Sequence, residues 1–83
     1  MQITLKLYAM LTQYLPAGAE KNISRLELPE DTTVGAVIKQ LRMPEELVHL
    51  VLLNGVYVEP ARLDETPLND SDVLAVWPPV AGG

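Results

Sequence analysis

The groups able to do chemistry in this 83-residue chain are few, and most of them lack partners. His49 is the single histidine and there is no cysteine, so disulfides, zinc knuckles and thiol nucleophiles are excluded. Without a second ligand or nucleophile, His49 reads as a structural or solvated side chain on a strand edge. Asp64, Asp70 and Asp72 fall close together. They lack the twelve-residue spacing, central Gly and terminal Glu of a calcium loop, and read instead as a turn with solvated carboxylates. Glu45 and Glu46 follow Pro44 in what reads as a first helical turn, where acids favour the positive end of the dipole. There is no glycine-rich phosphate loop. No catalytic residue is expected within the globular body, and neither a metal nor a bound cofactor.

What remains is the ending Trp77-Pro78-Pro79-Val80-Ala81-Gly82-Gly83. Pro78-Pro79 cannot continue a sheet and favours polyproline II, a stalk leaving the domain. Six residues follow Trp77 and can extend about 20 Å, enough to enter another protein's active site while the domain docks outside. Val80, Ala81, Gly82 and Gly83 are small, and the glycines have no Cβ to block a narrow tunnel. The reactive group would be the Gly83 carboxylate, which is ionised at neutral pH and able to attack a phosphate. Adenylation by ATP would give it a leaving group, after which a sulfur or amine nucleophile could displace AMP.

The elements that must position this tail follow from hydrophobic patterning. Ile3, Leu5 and Leu7 alternate with Thr4, Lys6 and Tyr8, as a half-buried strand requires. Leu11, Tyr14 and Leu15 suggest a helical turn stopped by Pro16 and Gly18. A second strand is expected from Asn22 to Leu28, with Leu26 and Leu28 inward and a hairpin-like return beside the first. Asp31, Thr32 or Thr33 then caps a helix of about ten residues whose stripe is Val34, Val37, Ile38 and Leu41. Gly35 weakens that helix by up to ~1 kcal/mol relative to Ala, so packing must carry it. Leu50 to Leu53 and Val56 to Val58 flank Asn54-Gly55, a strong hairpin signal because both turn positions need positive φ. Glu59 to Leu68 reads as an irregular connection, Asn69 to Asp72 as a turn, and Val73 to Trp77 as the last strand.

Length and composition agree with a single small domain. The chain is 48% hydrophobic and 20% charged, so it is not disordered. Scaling of surface with mass gives roughly 4,900 Å² exposed after folding, which suits one two-layer core but no enclosed cleft. No apolar run is long enough to span a membrane, and Met1 leads straight into the alternating strand rather than a signal peptide. A cytoplasmic address is expected. The net charge of −5 argues against nucleic acid and anionic membranes and favours a basic protein surface as partner. With one helix long enough to cover a sheet, the economical fold is α+β: a mixed four- to five-stranded sheet on one main helix. The first and last strands would lie side by side in the middle, as in the β-grasp (ubiquitin-like) fold. Residues 1–77 would form that domain and 78–83 a flexible C-terminal tail.

Across nearly its whole length the sequence resembles the sulfur-carrier branch of the ubiquitin-like proteins, the molybdopterin synthase small subunits and thiamine sulfur carriers. The resemblance runs through the Ile3–Tyr8 strand, the Thr33–Leu41 helix, Leu53-Asn54-Gly55 and Leu68-Asn69-Asp70-Ser71-Asp72. It is most specific in Pro78-Pro79-Val80-Ala81-Gly82-Gly83, which fits the Pro-Pro-Val-x-Gly-Gly ending of the molybdopterin members; the thiamine carriers usually lack the diproline. It implies that an ATP-dependent adenylating enzyme of the ubiquitin-activating type charges Gly83. A persulfide donor enzyme then converts it to a thiocarboxylate, and the tail enters the large synthase subunit to deliver sulfur to a pterin precursor. On that view the chain is a non-catalytic subunit. A carrier for thiamine or another metabolite, a modifier joined to lysines through Gly83, and an interaction module with an inert tail are the alternatives. Ser71 departs from the family's usual Asp-Gly-Asp turn, at a cost of order 1 kcal/mol if the position is left-handed.

Alternation also indicates a docking face. Leu74 and Val76 would face the core, leaving Val73, Ala75 and Trp77 outward, with Tyr8 outward on the neighbouring strand. An exposed Trp and Tyr beside a reactive tail has the composition of an interface hot spot. Val51 and Leu53 are expected to extend the patch.

Overall fold

The computed structural model describes residues 1–79; Val80, Ala81, Gly82 and Gly83 lie outside the described residues. Five strands form one sheet: β1 (Gln2–Leu7), β2 (Ile23–Glu27), β3 (Leu50–Leu53), β4 (Val56–Tyr57) and β5 (Val73–Trp77). Among the described residues a single α-helix, α1 (Val34–Gln40), packs on it. The strand order is β2-β1-β5-β3-β4, with β1 and β5 parallel at the centre and the remaining pairs antiparallel.

The expected alternation of β1 is what builds the inner layer. Ile3, Leu5 and Leu7 are buried, and the register places Leu5 beside Leu74 and Leu7 beside Val76. Val34, Val37 and Ile38 cover them from α1, and Leu11, Leu28, Met43, Val58 and Leu68 close the rim. Apolar surface removed from water in this one layer-to-layer contact drives the fold, at roughly 25 cal/mol per Å².

The helix is capped by Thr33, whose hydroxyl accepts the Ala36 N–H at 3.1 Å, so of the three possible caps only Thr33 serves. It is shorter than the expected ten residues, running for 7. The stop is a Schellman arrangement: Arg42 turns left-handed at φ 60, its N–H reaches Lys39 O at 3.0 Å, and the Met43 N–H reaches Ile38 O at 3.3 Å. The Asn54-Gly55 turn has φ 52 and 82, as the tight hairpin needs.

Two further expectations change. The connection from Glu59 to Leu68 is not irregular: Pro60–Glu65 forms a 3-10 helix against α1, with Leu63 packed on the core. It approaches α1 at Gly35, where a Cβ would meet the Asp64 carboxylate and stand 3.1 Å from the Asp64 backbone nitrogen. Gly35 thus makes room for the neighbouring segment, which offsets its weak helix propensity. The acids of the Asn69–Asp72 turn are not solvated as a group. Asp72 is buried, accepting the Asn54 side-chain amide at 2.8 Å and the Asn69 N–H at 2.7 Å, while Asp70 accepts the Gln2 N–H at 2.7 Å.

That turn also holds Ser71 at φ 72, in the left-handed region that glycine tolerates best. Its N–H donates to Gln2 O at 2.7 Å, so the turn cannot relax without releasing the start of β1. Ser71→Gly is therefore expected to stabilise the fold by about 0.5–1 kcal/mol, offset in part by the freer unfolded chain. Urea unfolding reads this as a rise in midpoint at constant slope; a fall in midpoint would contradict it.

Candidate functional site

β5 delivers the chain end, and its last residue is fixed from both sides. On one side the Tyr8 and Trp77 rings stack with centroids 4.2 Å apart and planes 5° from parallel. The Tyr8 N–H donates to Val76 O at 3.2 Å, continuing the β1–β5 ladder one step past the strand. On the other side the His49 N–H donates to Trp77 O at 3.0 Å. Pro78, which has no N–H to give a ladder, is buried, and Pro79 is exposed. The expected launch of the tail at the diproline thus begins from a backbone anchored in the centre of the sheet. Gly83, Gly82, Ala81 and Val80, the residues expected to carry the chemistry, lie outside the described residues.

Trp77 does not cap the core. Its neighbour Val76 is fully buried on the helix side, so Trp77 takes the outer face with Tyr8, and both are half-buried against each other. Ala75 shares that face but is only 8% exposed, a short side chain set between Lys6 and Leu52. Val51 and Leu53 do not extend the patch. Val51 pairs with Val76 and Leu53 with Leu74, which turns both toward the core, and Val51 is 3% exposed.

Three residues not anticipated take their place. Leu50 lies opposite Trp77, Leu52 opposite Ala75, and Tyr57 opposite Leu52, so all three share the outer face. Tyr57 is 52% exposed. Leu50 to Leu53 is an unbroken apolar run with no alternation, and only its pairing with β5 decides which members face outward. A stripe of Tyr8, Trp77, Leu50, Leu52 and Tyr57 therefore crosses β1, β5, β3 and β4 beside the exit of the tail.

The other acidic and basic groups do not assemble a reaction centre. His49 is exposed, and Asp64 pairs with Lys39 at 3.6 Å on the surface of the helical layer. Among the described residues no three His, Cys, Asp or Glu side chains are grouped to hold a metal ion. No helix among them is long and apolar enough to cross a membrane. Asn54 and Asp72 instead secure the opposite end of β5: Asn54 Oδ1 accepts the Val73 N–H at 2.8 Å while its amide holds Asp72.

A mixed five-stranded sheet with its first and last strands parallel at the centre, curled on one helix, is the ubiquitin-like β-grasp fold. The model of the ThiS family matches residues 16–83, and the chain belongs to that family. Among solved structures it is similar to the HVO 2177 protein of Haloferax volcanii, at 30% identity over 100% of this chain and 87% of that one, with a TM-score of 0.73. It is also similar to a putative molybdopterin converting factor subunit 1 from Pyrococcus furiosus, at 27% identity, 95% and 98% coverage and a TM-score of 0.69. A structure of subunits 1 and 2 of the molybdopterin-converting factor of Helicobacter pylori, in complex, contains a chain with the same fold, at 19% identity, 100% coverage of both chains and a TM-score of 0.61. A search of curated proteins found no match.

Proposed function

We propose that this chain is a sulfur carrier protein that works through the carboxylate of Gly83 in the synthesis of molybdopterin. The observation that carries the reading is the anchoring of Trp77 by Tyr8 and His49 immediately before Pro78-Pro79-Val80-Ala81-Gly82-Gly83. A rigid sheet end followed by a short, slender segment is the means of placing one carboxylate deep inside another protein. The family match through residue 83 and the likeness to the Pyrococcus furiosus subunit support it.

The chemistry divides between this chain and its partners. A Gly83 carboxylate oxygen attacks the α-phosphorus of ATP on an adenylating enzyme of the ubiquitin-activating type, and pyrophosphate leaves. The terminal sulfur of an enzyme persulfide attacks the acyl adenylate, and AMP leaves. A second thiol then cleaves the resulting acyl disulfide, leaving the thiocarboxylate on Gly83 and a disulfide between the thiols. Pro78 to Gly82 carry the group into the large synthase subunit, where the sulfur passes to a pterin precursor. The chain itself supplies reach and docking, with acid–base work left to the partners. ATP-dependent charging fits a cytoplasmic setting.

Intact mass after incubation with the activating enzyme, ATP and a persulfide donor tests this. Exchange of the terminal oxygen for sulfur adds about 16 Da, because the thiocarboxylate keeps the acyl carbon and one oxygen of the carboxylate. Turnover of a pterin precursor by the charged chain with a large subunit then identifies the acceptor. Charging without pterin turnover would move the chain to thiamine or another sulfur metabolite; isopeptide-linked adducts on lysines would make it a modifier.

A further inference from the structure

The net charge of −5 is not shared evenly between the two faces of the molecule. Glu45, Glu46, Glu59, Asp64 and Glu65 lie on or beside the 3-10 segments Glu45–Leu47 and Pro60–Glu65 next to α1, where Arg62 and Lys39 offset only part of their charge. Glu45 and Asp64 line one hollow there with Gly35, Ile38 and Lys39. The outer face of the sheet is different. Lys6 sits between Ile23 and Ala75, and Arg25 lies beside Thr4 in the next row, both with their side chains on the face that carries Trp77. Among the described residues the ion pair is Lys39–Asp64, so neither Lys6 nor Arg25 has a carboxylate within salt-bridge reach there. Glu27 shares the face, but opposite Gln2, at the end of the sheet away from Trp77. Lys21 and Glu20 stand together on the depression beside Ile23 and Arg25 and offset each other.

The outer face is therefore apolar over β5, β3 and β4, and carries two cations, Lys6 and Arg25, on the rows of β1 and β2 nearer Trp77. Whole-chain charge governs the approach of a partner over long range, whereas close contact is governed by the charges at the interface. A basic surface laid on this face would bring like charges onto Lys6 and Arg25 as water is removed, which costs affinity steeply. We infer that the partner surface receiving this face presents carboxylates opposite Lys6 and Arg25, beside an apolar depression that takes Tyr8, Trp77, Leu50 and Leu52. This reverses the local sign expected from net charge: the acidic helical layer stays in solvent. The inference rests on the reading of this face as the one that docks during charging of Gly83.

The test uses the whole chain and the adenylating enzyme that charges it, with association followed at low and high salt. Lys6→Glu combined with Arg25→Glu is expected to slow association about tenfold or more at low salt, the gap narrowing at high salt. The neutral pair Lys6→Gln with Arg25→Gln should act in the same direction but less. Glu45→Lys with Glu46→Lys changes the net charge by the same amount in the other sense and should alter association less than the Lys6/Arg25 reversal, because its charges lie outside the contact and act only through the long-range field. Association that is unchanged or faster in the Lys6/Arg25 variants, or equally altered by the Glu45/Glu46 pair, overturns the inference. So does sedimentation showing that this face pairs with a second copy of the chain. Trp77→Ala separates the two levels: if it too leaves the complex unaltered while the fold is intact, the docking face itself is wrong, and not merely its charge.

Discussion

Deletion of Gly83 is expected to abolish charging while leaving the domain as stable as before. The β5 ladder ends at Trp77, whose carbonyl is held by the His49 N–H, so the anchor of the tail does not move when its end is shortened. One residue of extended chain spans at most about 3.6 Å, so the carboxylate of Gly82 would fall short by that distance. Reaction of a bound pair requires the reacting atoms about 3–3.5 Å apart, and a misplacement of about 1 Å is enough to cost on the order of a hundredfold. The loss in adenylation rate should thus be at least that large, read as absence of the mass increase under conditions that convert the parent fully. Thermal unfolding should be superimposable on the parent. Charging of the shortened chain at a comparable rate would remove Gly83 from the mechanism.

The second large effect is structural. Asn54→Ala should destabilise the fold by about 2–4 kcal/mol, from three causes acting together. The Val73 N–H loses its acceptor, Asp72 loses the amide that donates to its buried carboxylate, and alanine must adopt the φ of 52 that asparagine tolerates better. For a chain of this size each kcal/mol moves the melting temperature by about 4–8 °C, so a fall of about 8–32 °C is expected. A loss under about 1 kcal/mol in urea unfolding would mean that the Asn54–Asp72 contact is replaceable by water. Because this contact holds the start of β5 and the stack holds its end, the variant would also show whether tail placement depends on the whole strand.

Much of this architecture was legible in local pattern. The strict alternation of Ile3, Leu5 and Leu7 named both the strand and its buried face, and the same rule separated Leu74 and Val76 from Trp77. Asn54-Gly55 announced its hairpin through the two positive φ angles that its residues accept, and the structure has both. The stripe of Val34, Val37 and Ile38 announced the helix, although its end came early, at an Arg42 whose left-handed turn no residue type advertises. The segment Pro60–Glu65 stayed illegible for a related reason: with one apolar anchor, Leu63, it has no stripe, and it folds because α1 offers Gly35 as a landing place.

The docking face divides along the same line. Tyr8 was recognisable because it ends an alternating strand; Trp77, in the wholly apolar Val73–Trp77, was set outward beside it, and the pairing of β5 with β1 is what fixes that face. Leu50, Leu52 and Tyr57 were not recognisable, since four consecutive apolar residues carry no parity and only the pairing of Leu50 with Trp77 resolves them. Asp72 looked like a solvated turn acid because its partner, Asn54, is 18 residues away. Charge behaved in the same way: −5 is a sum over the chain, and a sum has no direction.

The sequence by itself thus determined the five strands and the main helix, the inward residues of alternating strands, and the tail whose last residues the proposed chemistry uses. These are properties of neighbouring residues, set by backbone sterics and the periods of strand and helix. Only the tertiary structure decided which face the unpatterned run of β3 presents, that Trp77 stacks on Tyr8 rather than closing the core, and where the cations gather. Each of those depends on register between segments far apart in the chain, and register is settled when sheet and helix bury a common surface.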